Sequence, residues 1–245
     1  MESVPAGVPS PVQRRERVLV QLVTLLTPGS AREQVLYRPI EWGAERMVRR
    51  HLCQSYRTRL LLRGPHATMD GLVAALSAAS AHPQVRAVDL VVNPHGTSRR
   101  LWFVDGPVDA DEVAVAVVRA LTTHQRRRLR AVFSTACYGM WHTDAWMRAG
   151  FCVAVGSREI YADGVTSLPR MLRGWAAGST VRDAVGEANA GWARRRQDAL
   201  AARYYRTIGR AADAGAVDSE RVVDGARTMV ITSDPAQWRP PALPA

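Results

Sequence analysis

Lysine is absent from the 245 residues, so all 33 basic side chains are arginine and the formal net charge is +11. An arginine and alanine excess without lysine is the signature of a GC-rich coding sequence, and the charge alone is therefore a weak pointer to nucleic acid. Cysteine is scarce. The three present, Cys53, Cys137 and Cys152, are odd in number and show no CxxC or Cys/His ligand spacing, which excludes a disulfide framework and a zinc site and leaves free thiols. No apolar run reaches eighteen residues, which excludes a membrane-spanning helix. No GxGxxG or GxxxxGK[ST] loop is present to cradle phosphates, and no repeat recurs at a fixed period. The opening stretch carries Pro and Gly where a signal peptide has its apolar segment, so a cytoplasmic protein is expected.

What is present is enough apolar sequence, 47%, to bury one sizeable core. Residues 1–14 read as a flexible Pro-rich tail, and 236–245 as a second one. Residues 15–56 read as an N-terminal helical extension, with "RERVLVQLVTLL" and "EWGAERMVRRHLCQ" showing apolar residues at three- and four-residue spacing. From 57 to 235 the pattern is that of one domain, in which short β-type runs alternate with helical segments. The runs are 58–64, 87–93, 100–106, 129–135, 151–157 and 227–233, and most are continuously apolar, as in a sheet covered on both faces. The helical segments are 69–82, 109–128, 165–178 and 179–205, several opened by Ser, Thr or Asp caps. This alternation predicts an α/β domain with a largely parallel sheet.

In such sheets the reactive groups sit just beyond the carboxyl ends of the strands. His95, in "DLVVNPHG", and Cys137, in "VFSTACYG", both occupy that position. A thiol nucleophile needs a base, because the thiolate reacts and a free thiol with pKa ~8.5 is mostly protonated at neutral pH. Gly96 and Gly139 permit tight turns beside the two side chains, and the N–H groups of Gly96 and Cys137 are candidates to face an oxyanion.

These two motifs resemble those of the caspase-like cysteine peptidases, the superfamily of caspases, metacaspases, legumain-like enzymes, separase, clostripain and gingipains. The likeness continues through "MRAGFCVAVGSREIYADG" and "LRGWAAGSTVRDAVGEANA", the latter similar to bacterial members, and spans about residues 57–235. It implies a three-layer α/β sandwich, a mostly parallel sheet with helices on both faces. It also implies a Cys137–His95 dyad hydrolysing peptide bonds through a thioester, with no cofactor and no metal. A protein or peptide is the substrate it implies, and it is compatible with a regulatory protein partner. Where metacaspases and legumain-like enzymes have an acidic residue before the cysteine, this chain has Ser134, Thr135 and Ala136, so their preference for basic side chains does not carry over. Ser157, Glu159 and Asp163 follow the strand after the cysteine and are the candidate substrate contacts.

Other residues have plainer readings. His66 reads as a loop histidine ahead of a helix, His142 as a surface or helix-N-terminal residue, and Cys152 as core. The runs "HQRRRLR" and "WARRRQ" fit solvated helix ends, so nucleic acid is not the expected partner. Two rival functions remain: a catalytically silent caspase-like scaffold that binds a partner protein, and an Arg-rich nucleic-acid-binding α/β domain.

Overall fold

The structure, a computed structural model, describes residues 10–26 and 31–238. Eight strands are described: β1 (Arg17–Thr24), β2 (Thr58–Arg63), β3 (Ala87–Pro94), β4 (Arg100–Phe103), β5 (Gly106–Asp109), β6 (Leu129–Ser134), β7 (Val153–Ser157) and β8 (Arg221–Gly225). The helices are α1 (Ala31–Leu52), α2 (Met69–Ala81), α3 (Ala110–Ala120), α4 (Thr123–Arg126), α5 (Thr143–Ala149), α6 (Ser167–Ala176), α7 (Val181–Ala190), α8 (Trp192–Thr207) and α9 (Ala211–Gly215). Six strands form one sheet in the order β2-β1-β3-β6-β7-β8, parallel except for β8 at the edge, while β4 and β5 make a separate antiparallel hairpin.

Alternate side chains of each central strand feed two different cores, as the period-2 geometry of strands requires. Val88, Leu90 and Val92 of β3 pack with α2, α3 and α5 on one face, whereas Val91 joins α1, α6 and α7 on the other. The continuously apolar runs are therefore strands buried twice over. The expected α/β sandwich with helices on both faces is what the chain forms.

Several local expectations are corrected. Residues 15–26 do not form an α-helix: 15–16 end a short 3-10 turn and 17–24 are β1, lying between β2 and β3 in the sheet. A segment apolar on both faces satisfies helical and strand spacing alike, and its β-branched Val18, Val20, Val23 and Thr24 fit the strand. The reading of 15–56 as a helical extension thus holds for α1 but not for its first part, and the sheet begins before residue 57. Of the expected tails, residues 1–9 and 239–245 lie outside the described residues. Val12 is fully buried, with its N–H on the Thr232 carbonyl, so residues 10–14 run along the body of the domain.

Residues 227–233 are turns rather than a strand, and the last strand is β8 just before them. Met229 and Ile231 are apolar because they close the core beneath α6 and α7, while the Met229 carbonyl caps the Val181 N–H at the start of α7. The expected helix 109–128 breaks at Thr122, which starts a new capping box with Gln125, and 179–205 breaks at Gly191.

A buried polar cluster ties the centre of the sheet to the C-terminal segment. Arg130 and Asp89 are both fully buried and ion-paired, with Arg130 Nε and Nη2 at 2.9 and 2.6 Å from the two carboxylate oxygens. Arg130 also donates to the Ile231 and Ser233 carbonyls, and Asp89 accepts from the Ala131 N–H where the β3–β6 register shifts. The Tyr56 hydroxyl donates to Asp89 and accepts from Trp175 Nε1 at 3.0 Å. Burial, reinforced by Asp89, pushes the Tyr56 phenol well up, so it stays a neutral donor.

A second tight contact joins β7 to the turn after β6. A Cβ at Gly156 would lie 2.1 Å from the Gly139 carbonyl carbon and 2.5 Å from the Met140 nitrogen, both backbone atoms that cannot swing aside.

Two outcomes follow for stability. Arg130→Met strands the Asp89 carboxylate in the core and should cost about 3–5 kcal/mol in denaturant unfolding, whereas Asp89→Leu with Arg130→Met should cost less than the single change. An equal or larger loss in the double variant would show that the pair is not the unit that matters. Gly156→Ala should cost about 3 kcal/mol by overpacking, and unchanged unfolding would mean the turn at 139–140 yields freely.

Candidate functional site

The two sequence motifs emerge side by side because β3 and β6 are neighbours in register, Val92 opposite Ser134. Just beyond, the Thr135 N–H bonds the Val92 carbonyl at 2.9 Å, and Asn93 Nδ2 donates to Thr135 Oγ1. Asn93 accepts in turn from Gln21 Nε2, and Gln21 from Arg59, so one polar chain runs across β2, β1, β3 and the end of β6. Gln21 and Asn93 are fully buried, and each is satisfied by its neighbours in this chain.

His95 follows Pro94 at the end of β3. Its Nε2–H donates to the Leu25 carbonyl at 2.8 Å, just past the end of β1, and the Tyr37 ring of α1 meets it edge-on at 4.6 Å. Its carbonyl accepts from the Trp102 N–H of the β4–β5 hairpin, which holds the turn from outside. Gly96 then passes so close to the cysteine turn that a Cβ there would lie 2.7 Å from the Cys137 carbonyl oxygen and 3.0 Å from Ala136 Cβ. Only glycine fits. The His-Gly and Cys motifs are thus in van der Waals contact through Gly96.

Cys137 sits on a turn held from several directions. Tyr138 has φ 58°, the one non-glycine residue with positive φ among the described residues, and its N–H bonds the Glu159 carbonyl at 2.7 Å. Left-handed backbone at a bulky residue costs energy and persists where surrounding contacts over-determine it. The half-buried Cys137 thiol is pushed up by burial. The Tyr161 N–H, the residue's own N–H and Arg210 act the other way, favouring the thiolate, while Asp213 raises the thiol further. Tyr161 is fixed by Arg221 of β8, whose guanidinium lies over its ring, donates to its hydroxyl at 2.6 Å and reaches the Ser134 carbonyl.

Side chains from distant segments act electrostatically with the thiol. Tyr205 of α8 is pushed up to about 12, mainly by burial, with Cys137 and Tyr37 adding to it. Arg210, before α9, is bonded to Asp213 at 2.5 Å. Residues 216–220 run along 158–160, with the Ile160 N–H on the Ala216 carbonyl, and this seats α9 beside the cysteine turn.

The other candidates fall in different places. Ser157 is fully buried, its hydroxyl bonded to the Ala136 and Glu159 carbonyls at 2.9 and 3.0 Å. Asp163 is fully buried as well, and its carboxylate takes the Thr166 and Ser167 N–H groups at the start of α6. Neither presents a polar atom to solvent. Glu159 is half-buried, with its charge near Tyr138. His66 is exposed ahead of α2, and Cys152 is buried in the core, where its thiol is pushed up to about 12. His142 does precede α5, but it is fully buried rather than on the surface. Sequence reasoning missed Leu25, Tyr37, Tyr205, Arg210 and Asp213, which carry no motif and reach the site only through the chain path. Among the described residues, no cluster of three or more His, Cys, Asp or Glu side chains is placed to hold a metal ion, and no helix is long and apolar enough to cross a membrane.

No family model matches the chain, and no curated protein matches it by sequence. Solved structures do share its fold. Caspase-1 from Spodoptera frugiperda superposes with a TM-score of 0.56 and 9% identity, covering 94% of this chain and 99% of that one. The Drosophila initiator caspase Dronc gives a TM-score of 0.48 and 10% identity over 74% of each chain. A secreted C11 cysteine protease from Bacteroides thetaiotaomicron, in complex with an irreversible peptide inhibitor, gives 0.40 and 14% over 64% of this chain and 53% of that one. The likeness rests on the first superposition, which spans nearly all of both chains and speaks for architecture. The chain has the caspase-like α/β fold.

Proposed function

We propose that the protein is a cysteine peptidase with Cys137 as nucleophile and His95 as general base and acid. The observation that carries this is the packing of Gly96 against the Cys137 carbonyl, which brings the His-Gly turn and the cysteine turn together at the carboxyl edge of the sheet. The bond from His95 Nε2–H to the Leu25 carbonyl fixes the orientation of the imidazole at the end of β3. The caspase-like fold supports a peptide as substrate.

The proposed reaction starts from a protonated thiol, as its burial favours. His95 takes the Cys137 proton as the sulfur attacks the peptide carbonyl. The N–H groups of Gly96 and Cys137 hold the oxyanion, and the Tyr161 N–H favours the charged sulfur. When the C–N bond breaks, His95 gives its proton to the leaving amine. Water, deprotonated by His95, then attacks the thioester and releases the acid, and the thiol regains its proton. Of the three candidate substrate contacts, Glu159 is the one with a partly exposed side chain.

A second reading, a silent scaffold that binds a partner protein, draws support from the burial that holds the thiol protonated. One experiment separates them. A peptidyl acyloxymethyl ketone library should label Cys137 and not Cys53 or Cys152, and Cys137→Ala should lower peptide cleavage by at least about 10³-fold. Labelling elsewhere, or cleavage that survives the substitution, sinks the peptidase reading. A pH series adds a further expectation. With His95→Ala, burial remains the dominant influence and keeps the thiol raised, so iodoacetamide should modify Cys137 only at pH values above those at which an exposed cysteine reacts. The wild type should react from lower pH, and coincident profiles would remove His95 from the chemistry.

A further inference from the structure

We infer that His142 is a positioning residue of this site, holding the His95–Gly96–Thr97 turn against the cysteine turn from beneath. The inference rests on the peptidase reading above.

His142 ends the short 3-10 turn Gly139–His142 that follows Cys137, and none of its surface is exposed. Its Nε2–H donates to the Thr97 carbonyl at 2.7 Å. A carbonyl only accepts, so this nitrogen carries the proton. Nδ1 is buried and has no hydrogen-bond partner among the described residues. The ring also touches the glycine of the His-Gly motif, since a Cβ on Gly96 would lie 3.3 Å from His142 Cε1. Gly96 is therefore clamped between the Cys137 carbonyl on one side and the His142 imidazole on another.

The anchoring of His142 itself is firm. The Thr143 hydroxyl lies 2.7 Å from the Met140 carbonyl and also meets the Asp224 carboxylate of β8, sharing its one proton between them, which fixes the backbone on either side of the imidazole. Burial lowers the His142 pKa, opposed by the Thr97 carbonyl and by Asp109, so the ring is held neutral. What the imidazole adds over an apolar side chain is one directed bond, and that bond ends on the residue two positions after His95. The same short segment thus carries the nucleophile at one end and, five residues later, the group that sets the height of the base.

The test is the rate of Cys137 alkylation by iodoacetamide, followed by mass spectrometry from pH 5.5 to 9.5, with calorimetric unfolding of each variant. His142→Leu should slow alkylation at pH 7 by about tenfold, toward the His95→Ala rate, and flatten the neutral limb of the profile. His142→Gln, whose amide nitrogen reaches the Nε2 position, should recover to within about threefold of wild type. His142→Asn, too short to reach Thr97, should behave like Leu, and this Gln–Asn comparison stands if the Leu variant does not fold. Alkylation within twofold of wild type in Leu and Asn, with only a lower unfolding temperature, would overturn the inference and leave His142 structural. If His95→Ala itself leaves the profile unchanged, the peptidase reading fails first, and the His142 result is read as packing alone.

Discussion

The buried pair of Asp89 and Arg130 is the interaction on which the placement of the site depends. Asp89 belongs to β3, six residues before His95, and Arg130 to β6, seven residues before Cys137. Between those strands the register shifts once, at Val88–Leu90, and there the Asp89 carboxylate replaces a backbone acceptor for the Ala131 N–H. Sliding β3 against β6 while keeping the same side chains inward means a two-residue slip, about 7 Å along the strand. That distance would carry His95 out of reach of the cysteine turn. An apolar core tolerates such a slip, because one valine resembles the next, whereas a guanidinium and a carboxylate buried face to face do not.

The same pair also reaches the end of the chain. Arg130 takes the carbonyls of Ile231 and Ser233, which have no strand partner because 226–233 turns under the helices instead of continuing the sheet. Tyr56 and Trp175 extend the cluster to the end of α1 and to α6. A fully buried charge is expensive unless every lone pair and proton is used. Here the carboxylate receives Arg130 twice, the Ala131 N–H and the Tyr56 hydroxyl, so the pair is well satisfied and joins both sheet neighbours to one helical layer.

The sheet, its parallel direction and the placing of the His-Gly and cysteine turns at the ends of neighbouring strands were legible because they rest on local signals: continuous apolar runs, turn residues and helix caps. The helix boundaries at Thr122 and Gly191 were visible only as caps inside longer apolar patterns. β1 was misread because a strand buried on both faces has no period of its own, and only its neighbours β2 and β3 decide it. The apolar "RTMVITS" stretch is buried as a plug, and sequence cannot tell a plug from a strand when both are short and hydrophobic. Asp163 and Ser157 looked like site residues because they follow the cysteine strand, but their polar atoms are used by α6 and by the cysteine turn itself. Tyr205, Arg210 and Asp213 were invisible for the opposite reason, since nothing local marks a side chain that arrives from seventy residues away.

The cysteine turn is held in place by its own contacts. Tyr138 is held in left-handed backbone, which costs a non-glycine residue about 1–2 kcal/mol, and three contacts oppose its relaxation. The Glu159 carbonyl takes its N–H, Ser157 Oγ ties the Ala136 carbonyl, and Gly139 lies against Gly156 of β7 with no room for a side chain between them. The side chains that act electrostatically with the thiol, by contrast, come from α8, the segment before α9 and α9 itself, and Arg210 is itself exposed. Because these groups belong to elements separate from the cysteine turn, the charge around the sulfur can change without moving its backbone. The electrostatics of the Cys137 thiol are then set by elements distant in sequence, and its position by the turn that carries it.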